Sequence, residues 1–342
     1  MPEALTTTSA TPSVTTSSPD GARPVRRGAA VASLATALPP RVVPNAPIAE
    51  HLGIDESWIV QRTGVVERRI AAPGESVVTL AADAGRRAID DAGVVPAELD
   101  LVVVATMSHD KLTPHSSSVV ASEIGATRAG AVDMNAACTG FLSALSMGTG
   151  QIESGRADSV LVIGADVLSP LIDRDDRSTA ALFGDGAGAF VVRPTEPPGR
   201  IGPVVLGADG ASAGLINCDR DEGLIHMKGP DTFRHAVDRL CEATLDALDA
   251  VGRGLDEVDV FAYHQANSRI IQAVGERLSL PGERVIDCVP RYANTSAATI
   301  PIALAEARER GLLSDGATVL CAAFGGGLAW GATVIDWSVD AS

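Results

Sequence analysis

The stretch VDMNAACTGF, residues 132–141, sets Cys138 among small residues between a short apolar run and a helical pattern. A thiol at a strand-to-helix turn faces the free N–H groups and positive dipole end of the helix. That position predicts a lowered pKa and a nucleophilic thiolate. Two other apolar runs end in polar residues. FAYHQANSR (261–269) places His264 at the end of a strand pattern, and RYANTSAATIP (291–301) places Asn294 in a turn that opens a helix. FGGGLAWG (324–331) adds glycines whose backbone can approach a ligand and offer N–H groups to an oxyanion. Each segment has a plain structural reading as well. Cys138 can be a small buried hydrophobe, His264 a satisfied core residue, Asn294 a helix cap, and the glycines a tight hairpin.

The elements that would position these residues are regular. Near-continuous apolar runs at 99–108, 159–167, 187–194, 258–266 and 317–326 suit strands covered on both faces. Helical patterns fill 76–93, 232–252, 268–280 and 299–311. Strands alternating with helices predict a layered α/β fold. A weak internal repeat runs through the chain. DDAG, LDLVVVATMS, GRADSVLVIGADV and GDGAGAFVV recur in kind as DAVG, LDEVDVFAYHQA, LSDGATVLCAAF and GGLAWGATVIDW. Two related halves are expected, residues 27–200 and 201–342, with a site at their junction drawing on both.

Residues 1–26, rich in Ser, Thr and Pro, read as a disordered tail without the apolar segment of an export signal. No apolar run reaches the ~18 residues of a membrane span. The five cysteines are odd in number and none forms C-x-x-C, so neither a disulfide framework nor a zinc knuckle is indicated. His109 and His115 share a loop but lack a third metal ligand nearby in sequence. A cytoplasmic location is the expectation. A net charge of −16 and few aromatics argue against nucleic acid as a partner.

Taken together, WIVQRTGVVERR (58–69), VDMNAACTGF, DRSTAALFGDGAGA (176–189), HQANSRII (264–271), NTSAATIP (294–301) and FGGGLAWG resemble the β-ketoacyl-acyl-carrier-protein synthase III family of the thiolase superfamily. The resemblance runs from about residue 28 to 337. It implies a thiolase-like α-β-α-β-α arrangement of two α/β halves. It implies that Cys138 accepts an acyl primer from acyl-CoA, with the N–H groups of Cys138 and Gly326 as oxyanion hole. It also implies that His264 and Asn294 donate hydrogen bonds to the enolate formed when malonyl-acyl-carrier protein loses carbon dioxide. The product is a 3-oxoacyl-carrier protein, the start of a fatty-acid or polyketide chain. No metal or redox cofactor is implied. Trp58, Arg62 and Arg177 match positions that hold CoA, an indole and a guanidinium being suited to flank adenine.

The resemblance further assigns Thr113 to the acyl pocket, in the family a contribution from the second subunit of a homodimer. Threonine there is small, so a primer larger than acetyl is expected. Arg269, with Arg234 and Arg277, is expected to dock the acidic carrier protein. Two departures stand out: Glu276 replaces a residue often basic in the family, and Ala293 replaces the usual glycine before Asn294. A different reading keeps the acyl-Cys138 but passes the acyl group to a hydroxyl, an amine or another carrier without decarboxylation. A non-catalytic partner subunit is disfavoured by the intact Cys-His-Asn set. A true thiolase is disfavoured because FGGGLAWG holds no second cysteine.

Overall fold

The computed structural model describes residues 27–338, and the tail expected over residues 1–26 lies outside them. The chain begins with β1 (Gly28–Ala37), β2 (Val42–Pro44), α1 (Ala46–Leu52), α2 (Glu56–Thr63), β3 (Glu67–Arg69) and α3 (Val77–Asp91). It continues through β4 (Leu101–Ala105), α4 (Ser116–Glu123), β5 (Gly130–Met134), α5 (Gly140–Glu153), β6 (Val160–Asp166) and β7 (Gly186–Thr195). Next come β8 (Val205–Ala208), β9 (Ile216–Cys218), β10 (Ile225–Met227), α6 (Gly229–Val251) and β11 (Val260–Tyr263). The last elements are α7 (Ser268–Leu278), α8 (Val289–Tyr292), α9 (Thr299–Glu309), β12 (Thr318–Gly325) and β13 (Ala329–Asp336).

Two mixed sheets carry the fold. The first has the order β1-β7-β6-β4-β5 and the second β11-β12-β13-β8. In the first, β6-β4-β5 are parallel and β7 returns antiparallel to both β6 and β1. In the second, β11-β12 are parallel, and β13 lies antiparallel between β12 and β8. The place that β5 holds in the first sheet is reduced in the second to one parallel bridge, Phe261 to Val285.

Five layers follow from what packs on what. Helices α3 and α4 cover the outer face of the first sheet with Leu80, Ile89, Val120 and Ile124. Helices α6 and α7 cover the outer face of the second with Leu240, Leu248, Ile271 and Val274. Between the sheets lie α5 and α9, whose Phe141, Leu145, Ile300 and Leu304 join one core with Val162, Phe190, Val319 and Ile335. Strand β6 is buried along its whole length, which is why its sequence is apolar without alternation. Local signals place the helix ends. Ser76 and Thr79 form a reciprocal capping box at the start of α3, and Gly252 closes α6 in the left-handed conformation.

Glycines set how closely the layers meet. Gly164 of β6 pairs directly with Gly188 of β7. A Cβ on Gly164 would lie 2.2 Å from the Ala297 carbonyl oxygen, and one on Gly188 would lie 2.6 Å from the Pro301 ring. The paired glycines therefore make a hollow in the first sheet that receives the backbone entering α9.

Candidate active site

Cys138 stands where the chain turns from β5 into α5. Ala137, with φ 45°, bends the chain, and one turn of 3-10 helix over Ala137–Thr139 leads into α5. Thr139 fixes that turn through its hydroxyl, which donates to the Ala136 carbonyl at 2.7 Å. Strand β12 from the other half backs it: a Cβ on Gly325 would come within 2.8 Å of Cys138 Cβ and 2.9 Å of its N. FGGGLAWG is indeed a tight hairpin, β12 to β13, and its turn lies against Ala137 and Cys138. The hairpin thus brings Gly325 against Cys138 and Gly326 against Ala137.

The expected lowering of the Cys138 pKa is not what the surroundings produce. Burial pushes the thiol up to about 12, the Ser296 hydroxyl pulls it back, and the Asp166 carboxylate pushes it further up. Cys138 is half-buried and keeps some accessible surface. Desolvation of a thiolate there outweighs the helix dipole, which acts only over the first turn.

His264 extends β11. Its N–H donates to the Ala322 carbonyl at 2.7 Å, and its side chain is buried. Burial drives its pKa down to about 3, so the ring is neutral at neutral pH. Its Nδ1 lies 2.7 Å from Thr299 Oγ1, which leaves Nε2 as its other polar atom. The polar residues that follow have structural work. Gln265 donates to the Tyr263 and Ile286 carbonyls and accepts from Cys288 N. Asn267 caps α7 through Arg269 N and donates to the Arg62 carbonyl at 3.0 Å.

Asn294 is tied to the other half by its backbone. Its N–H donates to the Leu182 carbonyl and its carbonyl accepts from Gly184 N, both at 3.0 Å. Its Oδ1 accepts from Ser296 N at 2.9 Å, so the Nδ2 amide remains for a substrate. The segment 294–299 joins all three residues: it carries Asn294, brings Ser296 toward Cys138, and holds His264 through Thr299. Among the described residues four non-glycines have φ in the left-handed range, and Ala137, Ala293 and Ser296 are three of them. Ala293, at φ 57° and ψ −159°, sits in a region suited to glycine, which is the physical content of that departure.

Asp166, at the end of β6, was not singled out from sequence. It is fully buried, and burial raises its pKa. Oδ1 accepts from Thr106 Oγ1, Met107 N, Ser108 N and Ser108 Oγ, and Oδ2 accepts from Ala297 N at 3.0 Å. It thereby ties the 106–115 loop to the turn beneath Cys138. The signal was an acid ending an otherwise apolar strand. The Ser296 hydroxyl faces both Cys138 and Asp166 without closing a well-formed hydrogen bond to either.

The remaining expected site residues lie at the surface. Arg62 stacks over the half-buried Trp58 with its guanidinium 5.5 Å from the ring centroid. Trp58 packs with Ala49, Ile59 and Ala181, and the exposed Arg177 donates to the Leu52 carbonyl at 3.1 Å. Thr113 is exposed in a loop whose ends are held by Asp166 and by Asp133, which accepts from Ser116 N and Ser117 N. His109 of that loop pairs with Asp133 at 3.2 Å. Arg234 and Arg277 are each bound to an aspartate, Asp231 and Asp238. Among the described residues Arg269 makes no ion pair, and it lies over the Phe233 ring at 5.6 Å. No described helix is long and apolar enough to cross a membrane.

Comparison with known proteins agrees with this geometry. Two family models match, described as 3-Oxoacyl-[acyl-carrier-protein (ACP)] synthase III over residues 132–225 and its C-terminal part over 248–337. The first span holds Cys138 and the second holds His264 and Asn294. Beta-ketoacyl-[acyl-carrier-protein] synthase III 2 of Streptomyces coelicolor is 42% identical over 319 residues, covering 93% of this chain and 96% of that protein. The crystal structure of 3-oxoacyl-[acyl-carrier-protein] synthase III from Aquifex aeolicus VF5 superposes with a TM-score of 0.88 at 40% identity, covering 91% of this chain and all of that one. The priming beta-ketosynthase from the R1128 polyketide biosynthetic pathway does so with a TM-score of 0.88 at 38% identity, covering 92% and 98%. The chain therefore belongs to the 3-oxoacyl-[acyl-carrier-protein] synthase III family and is an acyl-transferring condensing enzyme.

Proposed function

We infer that the enzyme moves an acyl primer from acyl-CoA onto Cys138 and condenses it with malonyl-acyl-carrier protein to give a 3-oxoacyl-carrier protein. The observation that carries this reading is the 294–299 segment, which brings a neutral histidine and an asparagine amide to the same place as a backbone-supported cysteine. Attack by the Cys138 sulfur on the acyl-CoA carbonyl makes a tetrahedral oxyanion, which the N–H groups of Cys138 and Gly326 face. Loss of CO2 from the malonyl thioester leaves an enolate whose oxygen lies against Asn294 Nδ2 and His264 Nε2. Neither group is an anion, so neither repels it. The enolate carbon then attacks the acyl carbonyl and frees Cys138. Acyl-CoA and malonyl carrier are substrates, and the sequence of steps uses no metal or redox cofactor.

Trp58, Arg62 and Arg177 form the surface on which the adenine nucleotide of CoA rests. The basis is the cation–π pair of Arg62 and Trp58 with Arg177 on the adjoining segment. Arg269 is the principal docking cation for the carrier protein, with Arg234 and Arg277 at its margin. The protein acts as a cytoplasmic homodimer. Strand β5 is a partly exposed sheet edge, and Leu112 and Thr113 project from the loop that leads to α4, so a second copy would cover both. Thr113 would then close the acyl pocket of the partner and admit a branched or longer primer. The likeness to a priming polyketide ketosynthase supports a priming role in polyketide synthesis.

Intact-protein mass spectrometry after exposure to a mixture of acyl-CoAs reads both the site and the primer. One acyl group on Cys138, larger than acetyl, is the expected result, and Cys138→Ala carries none. Adding malonyl carrier labelled in its free carboxyl group then releases labelled CO2 in step with 3-oxoacyl product. Transfer of the acyl group without CO2 would replace condensation by simple acyl transfer.

A further inference from the structure

We propose that His109 is a specificity-positioning residue: clamped on Asp133, it fixes the 111–115 tip that carries Thr113, and with it the range of acyl primers that Cys138 accepts. The proposal rests on the acyl-pocket role given to Thr113 above. The chain leaves β4 at Thr106 and enters α4 at Ser116, and aspartates grip the loop between them from three sides. Asp166, at the end of β6, accepts from Thr106 Oγ1, Met107 N, Ser108 N and Ser108 Oγ. Asp110 of the loop accepts from Val77 N at 3.3 Å and Val78 N at 3.1 Å, which ties it to the first turn of α3. Asp133 in β5 accepts from Ser116 N and Ser117 N, both at 2.7 Å. His109 Nδ1 lies 3.2 Å from Asp133 Oδ2, so the outgoing arm of the loop is joined to the carboxylate that holds the returning arm. Residues 111–115 are exposed, and among the described residues Lys111, Leu112 and Thr113 make no hydrogen bond or ion pair. The position of the tip is therefore set where the two arms are held.

His109 is the donor of this set that gains and loses a proton near neutral pH; the others are amides and hydroxyls. The pairing with Asp133 pulls its pKa above 6.5, burial opposes the rise, and the charges of Asp133, Asp166 and Asp110 add to it. These three carboxylates face the ring from β5, from β6 and from its own loop. On Asp133, burial pushes the pKa up, but His109 and the residues Ser117 and Ser116 hold it below the usual carboxylate range. The pair is thus charged on both sides below pH 6.5, and the imidazolium is lost as the pH rises through its raised pKa. A charge-assisted contact then gives way to a neutral one of roughly half the strength, and the outgoing arm loosens. The His109 side chain is 28% exposed, so solvent can exchange its proton, which the buried His264 does not allow. A held tip closes the acyl pocket at one depth and discriminates between primers that differ by a methylene or a branch. A loose tip adapts to either. His109 is a positioning residue, since it acts through Thr113.

The test offers the full-length enzyme equal amounts of acetyl-CoA and isobutyryl-CoA. Intact-protein mass spectrometry reads the ratio of the two acyl groups on Cys138 from about pH 6 to about pH 9. A ratio cancels the effect of pH on the thiol itself, which acts on both primers alike. The wild type should change its ratio by about tenfold across that range, toward even loading at high pH. His109→Gln, a neutral donor, should give the high-pH ratio throughout. His109→Lys, which stays cationic over the range, should give the low-pH ratio throughout. A flat wild-type ratio would overturn the proposal. So would a pH dependence that survives in His109→Gln, because the titrating group would then be another, such as Asp166. If that variant fails to fold, His109→Lys supplies the same comparison. Size-exclusion chromatography at both ends of the range follows the oligomeric state, and a ratio that changes only with dissociation would also overturn the proposal. A wild-type enzyme that takes no acyl group on Cys138 refutes the proposed function and the clamp with it, whereas loading at a pH-independent ratio strikes the clamp alone.

Discussion

His264 has a consequence for stability that is independent of the role proposed for it. Its pKa falls from 6.5 to about 3 on folding because burial disfavours the imidazolium. Between those values the unfolded chain binds a proton on this residue that the folded chain refuses. Lowering the pH through that window therefore costs stability, with a slope approaching about 1.4 kcal/mol per pH unit from this residue alone. Urea midpoints measured from pH 7 to pH 4 should fall more steeply for the wild type than for His264→Gln. Parallel curves would mean that His264 titrates as it does in solvent. Cys138 gives the opposite lesson about what its type reveals. Its flanking residues and its turn were readable from the chain, but the direction of its pKa was not. A helix start is a local feature, whereas the burial that dominates comes from β12 and the 294–299 segment, both distant in sequence.

At the scale of elements, the site depends on how closely backbone approaches backbone. Gly164 leaves room for the Ala297 carbonyl, Gly188 for Pro301, Gly184 for the Tyr292 carbonyl, and Gly325 for Cys138. The first three belong to the first half and receive the segment that carries Asn294, while the fourth belongs to the second half and receives Cys138. Gly164→Ala should push the 296–298 turn outward, lowering stability by about 2 kcal/mol and condensation activity with it. Denaturant midpoints and turnover measured on the same preparation check this. A variant of unchanged stability would show that the turn has slack. The layered order of strands and helices was readable because strands buried on both faces are apolar throughout, and helices such as α3 carry their own caps. Asp166, Ser296 and Thr299 were not singled out, since small polar residues at strand and helix ends commonly serve as caps. The contacts of Asp166 and Ser296 cross the two halves, and that of Thr299 reaches back to His264 within the second half, and one sequence has no pattern for either. Gln265 and Asn267 follow His264 at the end of the same apolar run, and their hydrogen bonds assign them to structure.

The whole molecule carries a net charge of −16, and an acidic carrier must approach it against that field. Arg234 and Arg277 are already matched with Asp231 and Asp238, and Glu276 stands beside Arg277. Arg269 is thus the cation most open to a partner on the side of α7. Arg269→Glu should raise KM for the malonyl carrier about tenfold in steady-state assays, whereas Arg234→Ala and Arg277→Ala should move it far less. Equal effects of all three would mean that the ion pairs open on docking. The burial of His264 and Asn294 also bears on how faithfully the enzyme uses its extender unit. A malonyl group that has lost CO2 is a strong base, and any water beside it would quench it to an acetyl thioester. On the proposed mechanism, two flanking residues only 2% and 5% exposed leave little room for water beside that base, with the acyl carbon on Cys138 as its intended electrophile. On that reading the same burial that makes the histidine difficult to protonate shields the carbanion from quenching, and CO2 release should stay matched to carbon–carbon bond formation.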